Sequence, residues 1–427
     1  MPTVLNLSDN DIKQLTSIFG TPLQIYDGSM IIENQQNFIN LMKNNFPTFR
    51  QYFAVKALPN PHILKMLIDN GSYLDCSSSV ELQIAKNLGL RGNQIMFTSN
   101  YTSKEDLKFA KKLNAIINLD DISLIDDLAS LGDMPELLCF RLNPGIGKTD
   151  SETVSNILGG PDAKFGIPTF QIVEAFKKAK ELGVKKFGIH MMTGSNVLNL
   201  DYWDDLIKIL FENINNIKKT LDIDPSFINI GGGIGIPYKP NDPKIDIEEF
   251  SKKIRASITR EIQLYNIPEP DLYMENGRFI TGPYGWLISK CNVIKNTYAK
   301  YCGLDATMSN LMRPGMYGAY HHISIVGKDK DYKVENVNVV GTLCENNDWF
   351  AKNRELPIVE VGDLFVIHDT GAHSHSMGFQ YNGKLRCGEV IIFNRNIDGM
   401  QYIRRKETID DYLSTIICLE NCYPRLC

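Results

Sequence analysis

The chain has 427 residues, 43% of them hydrophobic, and a formal net charge of -5 with Lys, Arg, Asp and Glu evenly mixed. That length and apolar content suffice for a large core and suggest two domains. The lack of a basic stripe argues against a nucleic-acid partner. The first residues do not read as a signal peptide, and no run reaches the length of a membrane span, so a cytoplasmic protein is expected.

Between residues 30 and 280 short apolar runs alternate with longer amphipathic stretches, the pattern of a parallel sheet wrapped by helices. Eight candidate strands follow in order: QYFAVKA from Gln51, SYLDCSS from Ser72, QIMFTS from Gln94, AIINLD from Ala115, LLCFRLN from Leu137, KFGIHMM from Lys186, SFINIGG from Ser226 and DLYMENG from Asp271. Intervening segments such as SKEDLKFAKKLN, TFQIVEAFKKAKELG and IEEFSKKIRASITREIQLY carry helical periodicity, several behind Ser, Thr or Asp caps. Eight such units predict a (β/α)8 barrel over 30–282, with chemistry at the C-terminal strand ends. Lys56, Asp75, Ser99, Arg141, His190, Gly231 and Glu275 fall at or near those ends. Beyond residue 282 the helical period fades. KVENVNVVGTL, DLFVIHDTG, EVIIFN and GMQYIRR then predict antiparallel strands, so that 1–29 and 283–427 form a β-rich second domain.

Several motifs carry less than they promise. PGIGKTD ends like a phosphate-binding P-loop, but Leu142 stands where its first glycine is required, and GGGIGIPY lacks the third glycine of a dinucleotide fingerprint. His368, His373 and His375 could form a metal cluster, yet no carboxylate or thiolate of fitting spacing accompanies them, so no metal is expected. His321 and His322 point apart in a strand, and at least one is expected to be structural. The nine cysteines have no disulfide-framework spacing; Cys418 and Cys422, near Cys427, read as inward thiols of a terminal helix.

Lys56 is different, because an ammonium at the end of an apolar strand is uncommon and suits a Schiff base, although alone it would more often be a snorkelling lysine. Gly231, Gly232 and Gly233 after the strand SFINI offer backbone donors without Cβ atoms, suited to a phosphate at a barrel mouth, or else a tight turn. Glu275 in MENGRF is either a partner of Arg278 or a carboxylate that keeps a pyridine nitrogen protonated.

The ordered series YFAVKA, RLNPG, AKFGI, GIHMMTGSN, INIGGGIGIPY, ENGRFITGP, RPGMYGAYHHI, CENNDWFAKNRELP and GFQYNGKLRCGEV resembles the fold-type III pyridoxal-phosphate decarboxylases, and within them the diaminopimelate decarboxylases, over nearly the whole chain. The resemblance implies an alanine racemase-like barrel plus β domain, with pyridoxal 5'-phosphate carried by Lys56. It implies that Asp75 and His190 contact the cofactor and that Glu275 faces its ring nitrogen. Ser195, Gly231, Gly232, Gly233, Gly277 and Arg278 would hold the phosphate, and Tyr381 would close over it. Arg278, Arg313, Tyr317, Glu345 and Tyr381 would bind substrate. A homodimer with shared active sites would let Cys344, the proton donor, and Glu345 reach the other subunit's cofactor. The reaction implied is decarboxylation of meso-2,6-diaminopimelate to L-lysine.

The sequence departs from that family at three places: Met192 stands where a histidine usually stacks on the cofactor, Asn276 where a proline precedes Gly277, and His373 where a tyrosine is usual. Alternatives are a decarboxylase of ornithine, arginine or a carrier-linked amino acid, a racemase, or a non-catalytic regulatory homologue. Glu275 argues against the racemase, which places an arginine by the pyridine nitrogen. Retention of Lys56 and Cys344 argues against the regulator.

Overall fold

A computed structural model describes residues 3–149, 158–328 and 332–417, so Cys418, Cys422 and Cys427 lie outside the described residues. The eight expected strands are all present: Arg50–Ala54, Tyr73–Cys76, Ile95–Thr98, Ile116–Leu119, Leu137–Asn143, Lys186–His190, Phe227–Asn229 and Asp271–Met274. Each pairs in parallel with the next, and the last returns to the first through Tyr273↔Arg50 and Met274↔Gln51, closing the barrel. The helices lie where the periodicity placed them. Ser103 caps Lys104–Lys112 and Asp246 caps Ile247–Tyr265, each accepting from first-turn backbone N–H groups.

Strand alternation sorts the inward side chains into two layers. The lower layer is apolar: Tyr52, Met96, Ile116, Cys139, Phe227 and Tyr273 form a closed cluster, with the Phe227 and Tyr273 rings stacked at 4.4 Å. Gly188 belongs to this layer because a Cβ there would meet the Phe227 ring at 2.1 Å. Two residues further along the same strands the inward positions are Ala54, Asp75, Thr98, Asn118, Arg141, His190, Asn229 and Glu275, polar at every strand but the first. The residues between the layers, such as Phe53, Leu74, Phe97, Phe140, Ile189 and Met274, face outward into the helix-covered core.

The first strand ends one residue earlier than its apolar run. Val55–Ala57 is a 3-10 turn, so Lys56 sits on the lip of the barrel with its side chain exposed while Val55 and Ala57 are buried.

The second sheet has nine strands and is mixed, mostly antiparallel as the patterning implied but with two parallel ladders. Lys300–Leu304 runs parallel to Val334–Val340. The other parallel ladder involves Leu23–Asp27, which lies between Gly285–Asn296, antiparallel, and Gly388–Phe393, parallel. Leu23 and Ile25 pack with fully buried Trp286, Ile288, Val390 and Ile392 in a core of their own. From the same strand Tyr26 OH donates to Glu389 Oε1 at 2.6 Å, and Asn60, the N-cap of barrel helix Pro61–Asp69, donates to Glu389 Oε2 at 2.9 Å. Arg404 completes the pairing of this wholly buried carboxylate. Asp27 then caps the helix Gly28–Asn45 that leads into the barrel.

Because the Tyr26 hydroxyl is a buried donor to a charged acceptor, Tyr26→Phe is expected to lower unfolding free energy by about 1.5–3 kcal/mol. Urea denaturation measures it; an unchanged midpoint would show that Glu389 is satisfied without this bond.

Candidate active site

The polar inner layer is organised around Glu275. Its Oε1 accepts from Asn229 Nδ2 at 2.7 Å and its Oε2 from His190 Nε2 at 3.1 Å, with His190 fully buried. Burial alone would raise the Glu275 carboxyl, but His190, Lys56 and Asn229 outweigh it and hold the group below the usual range. Asp75 goes the other way: burial and then the charge of Glu275 push it well above the carboxylate range, against the pull of Lys56 and Thr98. One layer thus holds an ionised carboxylate and one driven towards its protonated form. Burial lowers His190 despite Glu275, so a neutral ring donates through Nε2. Its Nδ1 and Asp75 Oδ1 have no hydrogen-bond partner.

Above this layer a cavity is lined by Lys56, Ser195, Gly232, Gly233, Glu275, Gly277 and Arg278, which the sequence reading had grouped. Gly231 and Gly233 have positive φ of 70° and 94°. A Cβ on Gly231 would meet Met192 Sδ at 2.7 Å, one on Gly233 would meet Gly194 O at 2.6 Å, and one on Gly277 would meet Ala57 Cβ at 2.6 Å beside the Lys56 turn. Gly231 N–H is held by Asn229 Oδ1 at 2.9 Å, whereas Gly232 N–H reaches only Met192 Sδ at 3.3 Å, a weak acceptor that an anion displaces.

Arg278, half-buried, donates to Tyr238 OH at 2.6 Å and to Ser195 Oγ at 3.4 Å. Buried Arg313 lies over the same Tyr238 ring at 4.6 Å and donates to His321 Nε2 at 2.9 Å. The tautomer is set by His321 Nδ1, which donates to His368 O at 2.8 Å. Burial, with Arg278 nearby, pushes Arg313 down to about 10, and Tyr317 lies close enough to act on the same charge.

Eight expected site residues do not line this cavity: Asp75, His190, Gly231, Arg313 and Tyr317, and also Cys344, Glu345 and Tyr381. Cys344 and Glu345 are exposed, and Cys344 N–H donates to Asn382 Oδ1 at 2.7 Å, beside the Tyr381–Gly383 turn. Tyr381 is itself 50% exposed. Conversely, Met192, read from sequence as a departure, and His373, read as a departure and as one of three neighbouring histidines, both line the cavity. Tyr238, Asn229 and His321 were not singled out as site residues. Strand parity would have found Asn229, two residues before Glu275's counterpart Gly231; nothing local marks Tyr238, which lies in a loop.

The histidines of residues 368–375 do not gather: among the described residues no group of three or more His, Cys, Asp or Glu side chains is placed to hold a metal ion. His368 bridges Thr3 O at 3.1 Å and Ser324 Oγ at 2.8 Å, His375 meets Arg386 Nη2 at 2.7 Å, and His373 faces the cavity. Asn276, in the proline position, is buried and receives Gln51 Nε2 on its carbonyl at 2.7 Å.

A barrel with a lysine on its lip, a glycine cradle without room for side chains and a buried ionised carboxylate defines a site for a phosphorylated pyridine cofactor. The profile described as "pyridoxal-dependent decarboxylase, pyridoxal binding domain" matches residues 32–282, and the chain belongs to that family. It is a carboxy-lyase for an amino acid that uses pyridoxal 5'-phosphate. Protein TabA of Pseudomonas amygdali pv. tabaci is 40% identical over 407 residues, 95% of this chain and 93% of its own length. The diaminopimelate decarboxylase of Methanothermobacter thermautotrophicus is 32% identical over 403 residues, 94% and 93% of the two chains. The crystal structure of diaminopimelate decarboxylase from Helicobacter pylori complexed with L-lysine superposes with a TM-score of 0.83 at 27% identity, covering 94% of this chain and 98% of that one. No helix among the described residues is long and apolar enough to cross a membrane.

The buried histidines set a pH dependence. Burial pushes both His368 and His375 down to about 4 from the usual 6.5, so on acidification the unfolded chain binds these protons first. Stability present above pH 6.5 is therefore lost as pH falls towards 4. His368→Gln is expected to remove about 3 kcal/mol of that loss, read from urea midpoints at the two ends of this window; an unchanged slope would mean that His368 charges without penalty.

Proposed function

We propose that this decarboxylase acts on meso-2,6-diaminopimelate and releases L-lysine. The observation that carries the reading is the pair Arg278 and Arg313 braced on Tyr238: neither has a carboxylate within ion-pairing distance among the described residues. A desolvated guanidinium without a counter-ion is costly, and a substrate whose far end bears a carboxylate relieves that cost through charge-assisted hydrogen bonds. Ornithine, arginine and lysine bring only a cation there. Relatives named diaminopimelate decarboxylase at 30–32% identity support the same substrate.

In this reading Lys56 Nζ holds the cofactor. Gly231 to Gly233, Ser195, Gly277 and Arg278 hold its phosphate, and Asp75 and His190 lie below it. Bound there, pyridoxal 5'-phosphate supplies an electron sink for the pair left by the departing carboxylate. Glu275, ionised and fixed by His190 and Asn229, keeps a proton on the ring nitrogen. Arg278, which thus serves both ligands, orients the distal carboxylate with Arg313 and Tyr317, and Tyr381 shields the site from water. The exposed Cys344 and Glu345 fit a homodimer in which each serves the other subunit, Cys344 Sγ giving a proton to the substrate carbon and Glu345 taking the distal ammonium.

Purified holoenzyme given meso-diaminopimelate, ornithine, arginine, lysine and glutamate separately is expected to yield carbon dioxide and lysine from the first alone. Turnover only of another amino acid would sink the substrate assignment. Lys56→Ala should lose both activity and the visible cofactor absorbance.

Co-expression of Lys56→Ala with Cys344→Ala, each inactive alone, tests the shared site. Random pairing leaves one intact site in half of the dimers, so roughly a quarter of wild-type activity should return. Continued inactivity of the mixed dimers would contradict sharing.

A further inference from the structure

His373 reaches the cavity from the β domain yet is tied to the barrel lip. Its backbone N–H donates to Ala57 O at 2.9 Å, and Ser376 Oγ donates to the same carbonyl at 3.3 Å. Its φ of 55° is left-handed, a conformation that costs a non-glycine residue free energy and so needs support from its surroundings. The side chain lines the cavity with Lys56 and Met192.

The ionisable groups lining that cavity are Lys56, Glu275, Arg278 and His373. Lys56 is the attachment point, the guanidinium of Arg278 offers donors only, and Glu275 is committed to His190 and Asn229. Met192 has no titratable atom. Among the described residues that line the cavity, His373 is thus the one left to accept a proton beside Lys56. The charges that face it are Arg278 from the turn after the last barrel strand, Arg313 from the short helix Arg313–Tyr317 and Lys56 from the 3-10 turn, all cationic.

We infer that His373 is the general base of this site, taking the proton that the substrate α-ammonium must lose before its nitrogen displaces Lys56 Nζ from the cofactor. The same proton then passes from the imidazolium to the released Lys56 amine, so that the ring returns to neutral and no proton is gained or lost overall. Desolvation, then Arg278, Arg313 and Lys56, holds the imidazole well below its usual range, so the ring is neutral at neutral pH; the cofactor phosphate and the substrate carboxylates, bound by the same arginines, offset the cations that oppose its protonation. A tyrosine at this position, protonated until about pH 10, could not do this.

The inference rests on Lys56 holding the cofactor and is tested by stopped-flow absorbance of the holoenzyme mixed with methylamine, which has no carboxylate to lose. His373→Asn and His373→Gly both tolerate the left-handed backbone. In the wild type the exchange rate per total methylamine should be nearly level around neutral pH. In His373→Asn it should fall by about 10–100-fold and climb about tenfold per pH unit, because only free-base amine then reacts. Added imidazole should restore the rate of His373→Gly. Wild-type rate and pH dependence in His373→Asn would overturn the role, as would a slow His373→Gly that imidazole leaves unchanged, the result of a purely structural histidine. If Lys56 did not hold the cofactor, the wild type itself would show no amine-dependent change, which separates the two failures.

Discussion

A barrel closed by eight parallel strands has no interior edge, so each inward side chain must be satisfied by other inward side chains or by what enters from the open end. Here the lower layer solves the problem with aromatic and aliphatic packing, and the upper layer with charge. Glu275 can remain ionised in the interior because His190 and Asn229 occupy its two oxygens and Lys56 lies near. Its negative charge in turn disfavours ionisation of Asp75. The functional electrostatics are therefore set by parity along the strands: a one-residue slip would bring Met274 and Ile189 inward and turn Glu275 and His190 into the helix-covered core.

The second constraint is the docking of the two sheets' territories. The cavity wall is barrel on most sides, but His373 comes from the β domain, and the charge of Arg313, also from that domain, acts on it. Ala57 O, Tyr238 and Glu389 are the fixed points. Each joins residues far apart in sequence, and each uses a polar group that burial would make costly if the partner moved away.

Much of this was legible in the chain. All eight strands follow from short apolar runs, and Lys56, Gly232, Gly233, Glu275 and Arg278 meet at the strand ends because the barrel brings every such end to one face. What could not be read has physical reasons. The apolar run QYFAVKA gives no sign that the ladder stops at Ala54, since Val55 is buried in a turn as well as it would be in a strand. The role of Tyr238 depends on two arginines brought to its ring by distant segments, which no local pattern encodes. His373 looked like one member of a histidine cluster, but its left-handed backbone turns it away from His368 and His375. Cys344, Glu345 and Tyr381 fit a motif order, yet within the chain they are exposed and do not line the cavity, which the strand pattern does not reveal.

The position of Leu23–Asp27 in mid-sheet has a consequence for how the molecule is made. This strand leaves the ribosome early, but its two neighbours, Gly285–Asn296 and Gly388–Phe393, follow some 260 and 360 residues later. Until then Ile25 and Tyr26 have no ladder to join, and the buried acceptor of Tyr26, Glu389, does not yet exist. The barrel strands, by contrast, pair mainly with their immediate successors and can form as they emerge. Barrel and second sheet are thus separated in time during synthesis: a nascent chain can hold a nearly finished barrel whose lip still lacks His373, and Leu23–Asp27 gains its last neighbour only after that residue has emerged.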